Sequence, residues 1–338
     1  MSSRPLPETD LLQMPETVLS SGRIKNRVCR AALSILVFAF LMAAACPSAR
    51  CQDFSLPEIP DSLTAPEERA EYLCLHWWDG FDFSDTTLIS RPGVTEQTFV
   101  DFLSVLPYIA DASAPLDTMF RRASAEPEMF SHFVSLGEKY LAGRWSPMRD
   151  EDMYVVMLRV LASGDPFPAG ERGLARFRLE MALKNRPGEP AADFSFELAD
   201  GSRDSLYGID AEYLIVFFND PDCVECRSLR SELASSPELG GLLASGRAKV
   251  LSLNVAGGSF DTGSPSGWID ACDRGRTVYS DALYDLRSLP VLYLLSSDKH
   301  VLLKDTSLED ILDCLSADGD IATGIQLSSA STPIYSVR

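Results

Sequence analysis

The stretch from Tyr213 to Arg230 constrains this chain most, because an apolar run there ends at a turn and two cysteines follow. Residues 213–218 are consecutive apolar side chains, which is typical of a strand buried on both faces of a sheet. The polar residues 219–222 predict the turn after this strand. Cys223 and Cys226 then stand at the start of a predicted helix. We therefore expect the chemistry of the chain at this turn.

The spacing of the two cysteines suits reversible sulfur chemistry. Residues i and i+3 of a first helical turn share a face, so two sulfurs there can close to a disulfide or open to a dithiol without backbone rearrangement. The free N–H groups and the positive end of the helix dipole favour a thiolate at this position. We predict that Cys223 is the nucleophile and that Cys226, one turn deeper, is the resolving thiol.

Two other interpretations of the cysteine pair stay open. A zinc site would need two further ligands, and the chain has only three histidines and no second CxxC motif. A permanent structural disulfide would also fit the spacing. The context favours redox chemistry, because a predicted strand precedes the pair, a helix follows it, and a second apolar segment, Leu286–Leu295, contains Pro290.

These segments resemble the thioredoxin superfamily, and within it the cell-envelope thiol–disulfide oxidoreductases of the TlpA/ResA type. The resemblance covers residues 187–317 and is carried by residues 188–201, the strand into the cysteine pair, and Leu289-Pro290 with the apolar strand after it. It implies an α/β thioredoxin-like fold with a central mixed sheet flanked by helices. It also implies that Pro290 is cis and faces the cysteines, and that the backbone beside it, at Leu289, pairs with an incoming substrate chain.

The chain departs from that family around the first cysteine. The family usually has tryptophan directly before this cysteine, where this chain has Asp222, and the acidic residue often buried in the preceding strand is not evident. Asp222 and Glu225 flank Cys223, and nearby like charges oppose a thiolate. A thiol peroxidase is disfavoured, because those enzymes place threonine three residues before the reactive cysteine, where this chain has Asp220.

Residues 1–51 have the pattern of a targeting segment. Residues 31–45 are almost wholly apolar and follow a basic stretch. This run is shorter than the roughly 20 residues of a membrane-spanning helix, so we interpret it as the core of a secretory signal peptide. Cleavage before Cys46 would allow lipid attachment there, whereas cleavage after Cys51 would give an ordinary exported protein. Either route predicts the periplasm or cell envelope, an oxidising compartment in which a cysteine pair has a redox role.

Residues 52–63 are predicted to be an extended lead-in, and residues 64–185 an all-helical domain. Apolar residues recur in the second range with helical spacing, and no strand-like alternation stands out. This part resembles a helical domain of unknown function that often precedes thioredoxin-like domains in envelope proteins of Gram-negative bacteria, and the resemblance supplies no activity. Trp77 and Trp78 are interpreted as core or interface residues, with stacking on a ligand as the alternative.

Several elements of the second half are predicted from local pattern. Residues 194–198 and 206–209 are expected to form a leading hairpin, and Trp268 to Cys272 the start of a short helix. Ser307 is expected to cap the last helix, which is predicted to end near Leu315. The polar tail at 318–338 is predicted to be disordered.

Charge narrows the range of partners. Aspartate and glutamate outnumber lysine and arginine by 49 to 30, and the net charge of −19 argues against nucleic acid. We predict an exported thiol–disulfide oxidoreductase that exchanges disulfides of envelope proteins through Cys223 and Cys226 and is recharged by an upstream thiol reductant. No organic cofactor or metal is required. The alternative is a non-enzymatic envelope binding protein with a thioredoxin scaffold and a structural disulfide.

Overall fold

The computed structural model describes residues 54–322, except residue 259 and residues 261–263, with side chains described up to residue 316. These described residues fall within one unit of the chain. The predicted signal segment, with Cys46, and residues 323–338 lie outside the described residues. No helix in the described ranges is long and apolar enough to cross a membrane.

Residues 54–185 fold into helices, and no strand occurs among them. Their apolar residues recur at helical spacing and meet in one shared core. Short 3₁₀ helices cover Thr86–Ser90 and Leu106–Tyr108, and a π-helical turn covers Glu138–Ala142. The α-helices are α1 Pro66–His76, α2 Glu96–Val105, α3 Ser113–Ala123, α4 Pro127–Gly137, α5 Glu151–Ala162 and α6 Ala169–Leu183.

Trp77 and Trp78 are buried at the centre of this helical core. The indole ring of Trp78 meets the rings of Phe81 and Phe133 edge to face, with centroids 5.3 and 5.2 Å apart. Such edge-to-face pairs add to the stabilisation gained from burial. Both tryptophans therefore belong to the core, as the first interpretation expected, and no ligand can stack on them without opening it.

Residues 186–322 build a seven-stranded mixed sheet in the order β2-β1-β5-β4-β3-β6-β7. Strand β3 pairs in parallel with β4 and antiparallel with β6, so it lies in the interior of the sheet. The strands are β1 Ser195–Leu198, β2 Arg203–Ser205, β3 Tyr213–Asn219, β4 Ala248–Asn254, β5 Trp268–Cys272, β6 Val291–Ser296 and β7 Val301–Lys304.

Two local predictions in the sheet half were wrong. The segment Trp268–Cys272 is strand β5 and not the start of a helix, because it pairs in parallel with β4 and antiparallel with β1. The expected second strand of the leading hairpin is Arg203–Ser205, and Leu206–Gly208 after it is a 3₁₀ helix. Partners that are distant in sequence decide the conformation of β5, whereas the register with the nearby β1 places β2 at residues 203–205.

The apolar run of β3 is explained by hydrophobic packing on both faces of the sheet. Alternate side chains such as Val216 and Phe217 enter two different hydrophobic cores, one on each face. The helices of this half are α7 Val224–Ser235, α8 Pro237–Ala244, the short α9 Thr277–Ser280 and α10 Leu308–Ala322.

Helix α10 begins as predicted but ends later. The backbone N–H of Asp310 donates to Ser307 Oγ at 3.1 Å, and the hydroxyl of Ser307 donates to the Asp310 carboxylate at 2.7 Å. The helix then continues to Ala322, so residues 318–322 are helical and not disordered as predicted. Once a helix is nucleated, each added residue gains a hydrogen bond at small cost, which allows polar residues to extend it.

Charged side chains join the helical part to the sheet part. The Asp305 carboxylate, just after β7, accepts from Arg144 at 2.8 Å and from Arg149 at 3.0 Å. The ammonium of Lys304 pairs with Glu151 at 2.7 Å and donates to the carbonyl of Ala182 at 2.8 Å. The two parts have separate hydrophobic cores but share this polar junction. A domain boundary near residue 186 stays a prediction.

Candidate functional site

The turn after β3 places the first cysteine at the N-terminus of α7. The Asp220 carboxylate accepts from the backbone N–H of Asp222 at 2.9 Å, and the Asp220 carbonyl accepts from the N–H of Cys223 at 3.0 Å. Cys223 has an extended backbone, with φ −78° and ψ 126°, and occupies the N-cap position of α7. The turn thus presents the Cys223 side chain at the end of the central strand, where the free N–H groups of the helix begin.

The sulfur of Cys223 lies between hydrogen-bond donors and acceptors. The backbone N–H of Cys226 points at it, with nitrogen and sulfur 3.1 Å apart. On its other sides lie a carboxylate oxygen of Glu225 at 3.7 Å and the carbonyl oxygen of Leu289 at 3.9 Å. The sulfur can therefore donate as a thiol and accept as a thiolate without moving. It is half-buried, so an incoming group can reach it.

Cys226 differs from Cys223 in its environment. Its side chain is 2% exposed and contributes to the core on the α7 face of the sheet. Burial, with a smaller contribution from the hydrogen bond to Cys223, raises the pKa of the Cys226 thiol to about 12. Cys226 is therefore a protonated, shielded thiol next to the accessible sulfur of Cys223. The roles of nucleophile and resolving thiol stay a prediction. Neither cysteine is in a disulfide here.

The structure brings the predicted loop at residues 289–290 to the cysteine pair. The peptide bond between Leu289 and Pro290 is cis, and Pro290 is buried at the start of β6. The carbonyl of Leu289 faces Cys223 across 66 residues of sequence. Of the predicted site residues, Cys223 thus contacts both Cys226 and Leu289. Pro290 is the residue after Leu289.

The helical part holds the segment that leads into this loop. The Lys184 ammonium donates to the carbonyl of Ala282 at 2.9 Å, and the Asn185 amide donates to the carbonyl of Leu283 at 2.8 Å. The Arg144 guanidinium lies 3.4 Å from the carbonyl oxygen of Ser288, the residue before Leu289. Hydrogen bonds from Arg144, Lys184 and Asn185 therefore hold the backbone of residues 282–288 in place.

A polar network lies deeper on α7. Arg230 donates to Ser252 on β4 at 2.8 Å and to Asp270 on β5 at 3.0 Å, and its guanidinium stacks 5.0 Å from the ring centroid of Trp268. Trp268 thus packs against the guanidinium of Arg230. Asn219 at the end of β3 also donates to Ser252, at 3.0 Å. This network ties α7 to three strands behind the cysteine pair.

Sequence patterns did not reveal the residues near this site that are distant from the cysteines in sequence. Arg144 and Asp305 are 161 residues apart, and their ion pair carries no local signature. Among the described residues, no group of three or more His, Cys, Asp or Glu side chains is arranged to hold a metal ion.

The two thiols are expected to differ in alkylation. In the reduced native protein at pH 8, iodoacetamide should modify Cys223 and leave Cys226 unmodified. A thiol with a pKa of about 12 is ionised to about one part in 10⁴ at this pH, and burial also blocks the reagent. Mass spectrometry of the modified peptide locates the label. Equal labelling of both cysteines before denaturation would contradict this geometry.

The comparisons with known proteins agree with this fold. A family model described as a domain of unknown function (DUF5106) matches residues 24–185. No curated protein matches the chain. A solved thioredoxin-like protein from Bacteroides caccae ATCC 43185 is 33% identical, with 80% of this chain and 99% of that chain covered and a TM-score of 0.63.

Two shorter structures are similar to part of the chain. One is the C-terminal domain of an uncharacterized protein from Bacteroides fragilis NCTC 9343, with 33% identity, 40% of this chain and 99% of that chain covered, and a TM-score of 0.36. The other is a domain of a possible thiol-disulfide isomerase from Cytophaga hutchinsonii ATCC 33406, with 21% identity, 42% and 99% coverage, and a TM-score of 0.33. We draw no functional argument from these two structures, because both TM-scores lie below 0.5. The likeness to the Bacteroides caccae protein, which covers 80% of this chain, does identify the family: this chain belongs to the thioredoxin-like proteins.

Proposed function

We propose that the protein is a thiol–disulfide oxidoreductase that reduces or exchanges disulfides of other proteins through Cys223 and Cys226. The observation that carries this proposal is the environment of the Cys223 sulfur. It is half-buried, it lies 3.1 Å from the N–H of Cys226 at a helix N-terminus, and it faces the Leu289 carbonyl at 3.9 Å. A fold alone does not fix an activity, so the proposal rests on this site.

The reaction proceeds in two exchanges. The Cys223 thiolate attacks one sulfur of the substrate disulfide; a Cys223–substrate bond forms, and the other substrate sulfur leaves as a thiolate and takes up a proton. Cys226 then loses its proton and attacks the Cys223 sulfur, which releases the first substrate sulfur. The substrate gains two electrons, and the enzyme is left with a Cys223–Cys226 disulfide.

The chain's own groups support each step. The N–H of Cys226 stabilises negative charge on the Cys223 sulfur before the attack. The Leu289 carbonyl offers a backbone acceptor to a substrate chain that lies against the cysteine pair. The raised pKa of Cys226 keeps the resolving thiol protonated in the resting dithiol, so that it does not compete as a nucleophile.

The finer proposal is an exported protein of the TlpA/ResA type. The apolar segment at residues 31–45 supports export to the periplasm or cell envelope, with lipid attachment at Cys46 as one route. Its partners would then be envelope proteins with disulfides, together with a thiol reductant that regenerates the dithiol after each turnover. Neither an organic cofactor nor a metal takes part.

Trapping of mixed disulfides tests the proposal. In cells, the Cys226→Ala variant should accumulate disulfide-linked complexes through Cys223, because the resolving step is missing. The dithiol form of the native protein should also reduce insulin, measured by precipitation of the free chains. A pair that stays oxidised in cells, reduces no insulin and traps no partner would overturn the proposal in favour of a structural disulfide.

A further inference from the structure

The two most exposed large apolar side chains among the described residues are each next in sequence to a residue of the candidate site or to one that contacts its backbone. Trp145 is 86% exposed and Val224 is 65% exposed, and the next, Tyr279, is 55% exposed. Val224 directly follows Cys223. Trp145 belongs to the helical part and directly follows Arg144. A large exposed apolar group beside a reactive site is a candidate for contact with a partner, whereas apolar groups scattered over a surface are ordinary.

A short series of contacts connects Arg144, the residue before Trp145, to the reactive sulfur. The guanidinium of Arg144 pairs with Asp305 at 2.8 Å and reaches the Ser288 carbonyl at 3.4 Å. The next residue, Leu289, turns its carbonyl to Cys223 Sγ at 3.9 Å. Trp145 is therefore carried by a loop that is anchored on the same backbone segment that faces the cysteine.

The loop that carries Trp145 is held by its own hydrogen bonds. The backbone N–H of Ser146 donates to the Gly143 carbonyl at 3.0 Å, and its hydroxyl donates to the Tyr140 carbonyl at 2.6 Å. The N–H of Met148 donates back to the Ser146 hydroxyl at 3.1 Å. A constrained loop that presents an indole to solvent loses little conformational entropy when a partner covers that indole.

We propose that Trp145 and Val224 form two sides of a docking surface for the polypeptide that carries the substrate disulfide. The occupant is an extended segment with an aliphatic or aromatic side chain close to its cysteine. The backbone of such a segment would lie along residues 288–289, and its apolar side chain would cover the indole of Trp145. This inference rests on the proposed function and assigns the helical part a role in substrate choice.

The chemistry of the surface argues for this occupant. Tryptophan is among the residues that contribute most binding energy at interfaces, because a large apolar area is buried with few rotatable bonds. The Leu289 carbonyl is a backbone acceptor, which suits an extended chain better than a small molecule. A small disulfide would reach Cys223 without touching Trp145.

The experiment compares Trp145→Ala with the native protein on three disulfides. Two are peptides that differ only by leucine or serine beside the cysteine, and the third is hydroxyethyl disulfide. Each pre-reduced protein is mixed with each substrate, and the second-order rate constant is measured. For the leucine peptide, Trp145→Ala should lower this constant about tenfold. For the serine peptide the loss should be small, and for hydroxyethyl disulfide there should be none.

A matched variant controls for general effects of removing an exposed aromatic group. Tyr108→Ala removes a 43% exposed side chain from the 3₁₀ helix Leu106–Tyr108 and should leave all three rates unchanged. Equal rates of native and Trp145→Ala protein on the leucine peptide would overturn the inference and leave the proposed function standing. If the native protein reduced none of the three disulfides, both the inference and the proposed function would be overturned.

Fluorescence gives a second readout. The chain has four tryptophans; Trp77 and Trp78 are buried and Trp268 is half-buried, so acrylamide in solution should quench mainly Trp145. In the mixed disulfide of Cys226→Ala with the leucine peptide, this quenching should fall by about half or more, as expected when a partner covers the ring. Unchanged quenching in that complex would count against contact with Trp145.

Discussion

Replacing Cys223 with serine is expected to lower disulfide reduction at least about a thousandfold, because a serine hydroxyl does not ionise near neutral pH and is a far weaker nucleophile than a thiolate. Cys226 cannot substitute for it, since burial shields its thiol and raises its pKa to about 12. The measurement is the rate of insulin reduction by the reduced full-length protein. Stability should change little, because the Cys223 side chain is only half-buried.

The control for this variant is Cys314→Ser. Cys314 is also a half-buried cysteine and packs on the same side of the sheet, on helix α10. Its replacement should leave the rate within about twofold of the native value, since no step uses its sulfur. Full activity of Cys223→Ser, or loss of activity in Cys314→Ser with an intact fold, would show that the reactive sulfur had been wrongly assigned.

Replacing Trp78 with alanine should destabilise the protein by about 3–5 kcal/mol, the usual cost of removing a large aromatic group from a packed core. Its ring is fully enclosed and contacts the rings of Phe81, Phe102 and Phe133 at centroid distances of 5.3, 5.5 and 5.2 Å. The cavity left behind cannot close without moving several aromatic rings. The free energy of unfolding, measured by urea denaturation, tests this expectation.

Trp145→Ala is the matched control for stability. It removes the same side chain from the same helical part, but from a position that is 86% exposed. Its free energy of unfolding should stay within about 0.5 kcal/mol of the native value. Comparing the two variants thus separates the loss of core packing from the loss of an exposed tryptophan. A small effect of Trp78→Ala would mean that this core is loosely packed and that a ligand-binding role for the aromatic cluster should be tested again.

Local pattern was sufficient for much of the fold. The apolar run of β3, the turn at Pro221 and the helix after Cys223 were predicted in order and close to their observed ends. The cap at Ser307 was predicted for the same reason, since a serine with an acidic residue three positions later satisfies free N–H groups within one helical turn. These features depend on interactions between residues that are close in sequence.

Prediction failed at β5 because distant partners decide the structure, and at α10 because the helix continued past its predicted end. Trp268–Cys272 became a strand because β4 and β1 offer it backbone hydrogen bonds on both sides, which five residues of sequence do not reveal. The extension of α10 over residues 318–322 was missed because the polar sequence suggested a tail. In each case a local preference of a few tenths of a kcal/mol was outweighed by hydrogen bonds or helix propagation.

Local sequence was enough to predict strand β3, the turn and the two cysteines at a helix start, because strand burial, turn formation and helix capping act over a few residues. The surroundings of Cys223 depend instead on how distant parts of the chain pack together. The Leu289 carbonyl comes from 66 residues away, and the Arg144–Asp305 pair that anchors the Trp145 loop spans 161 residues. Such contacts arise from the packing of whole elements, so they leave no periodicity or spacing in the sequence.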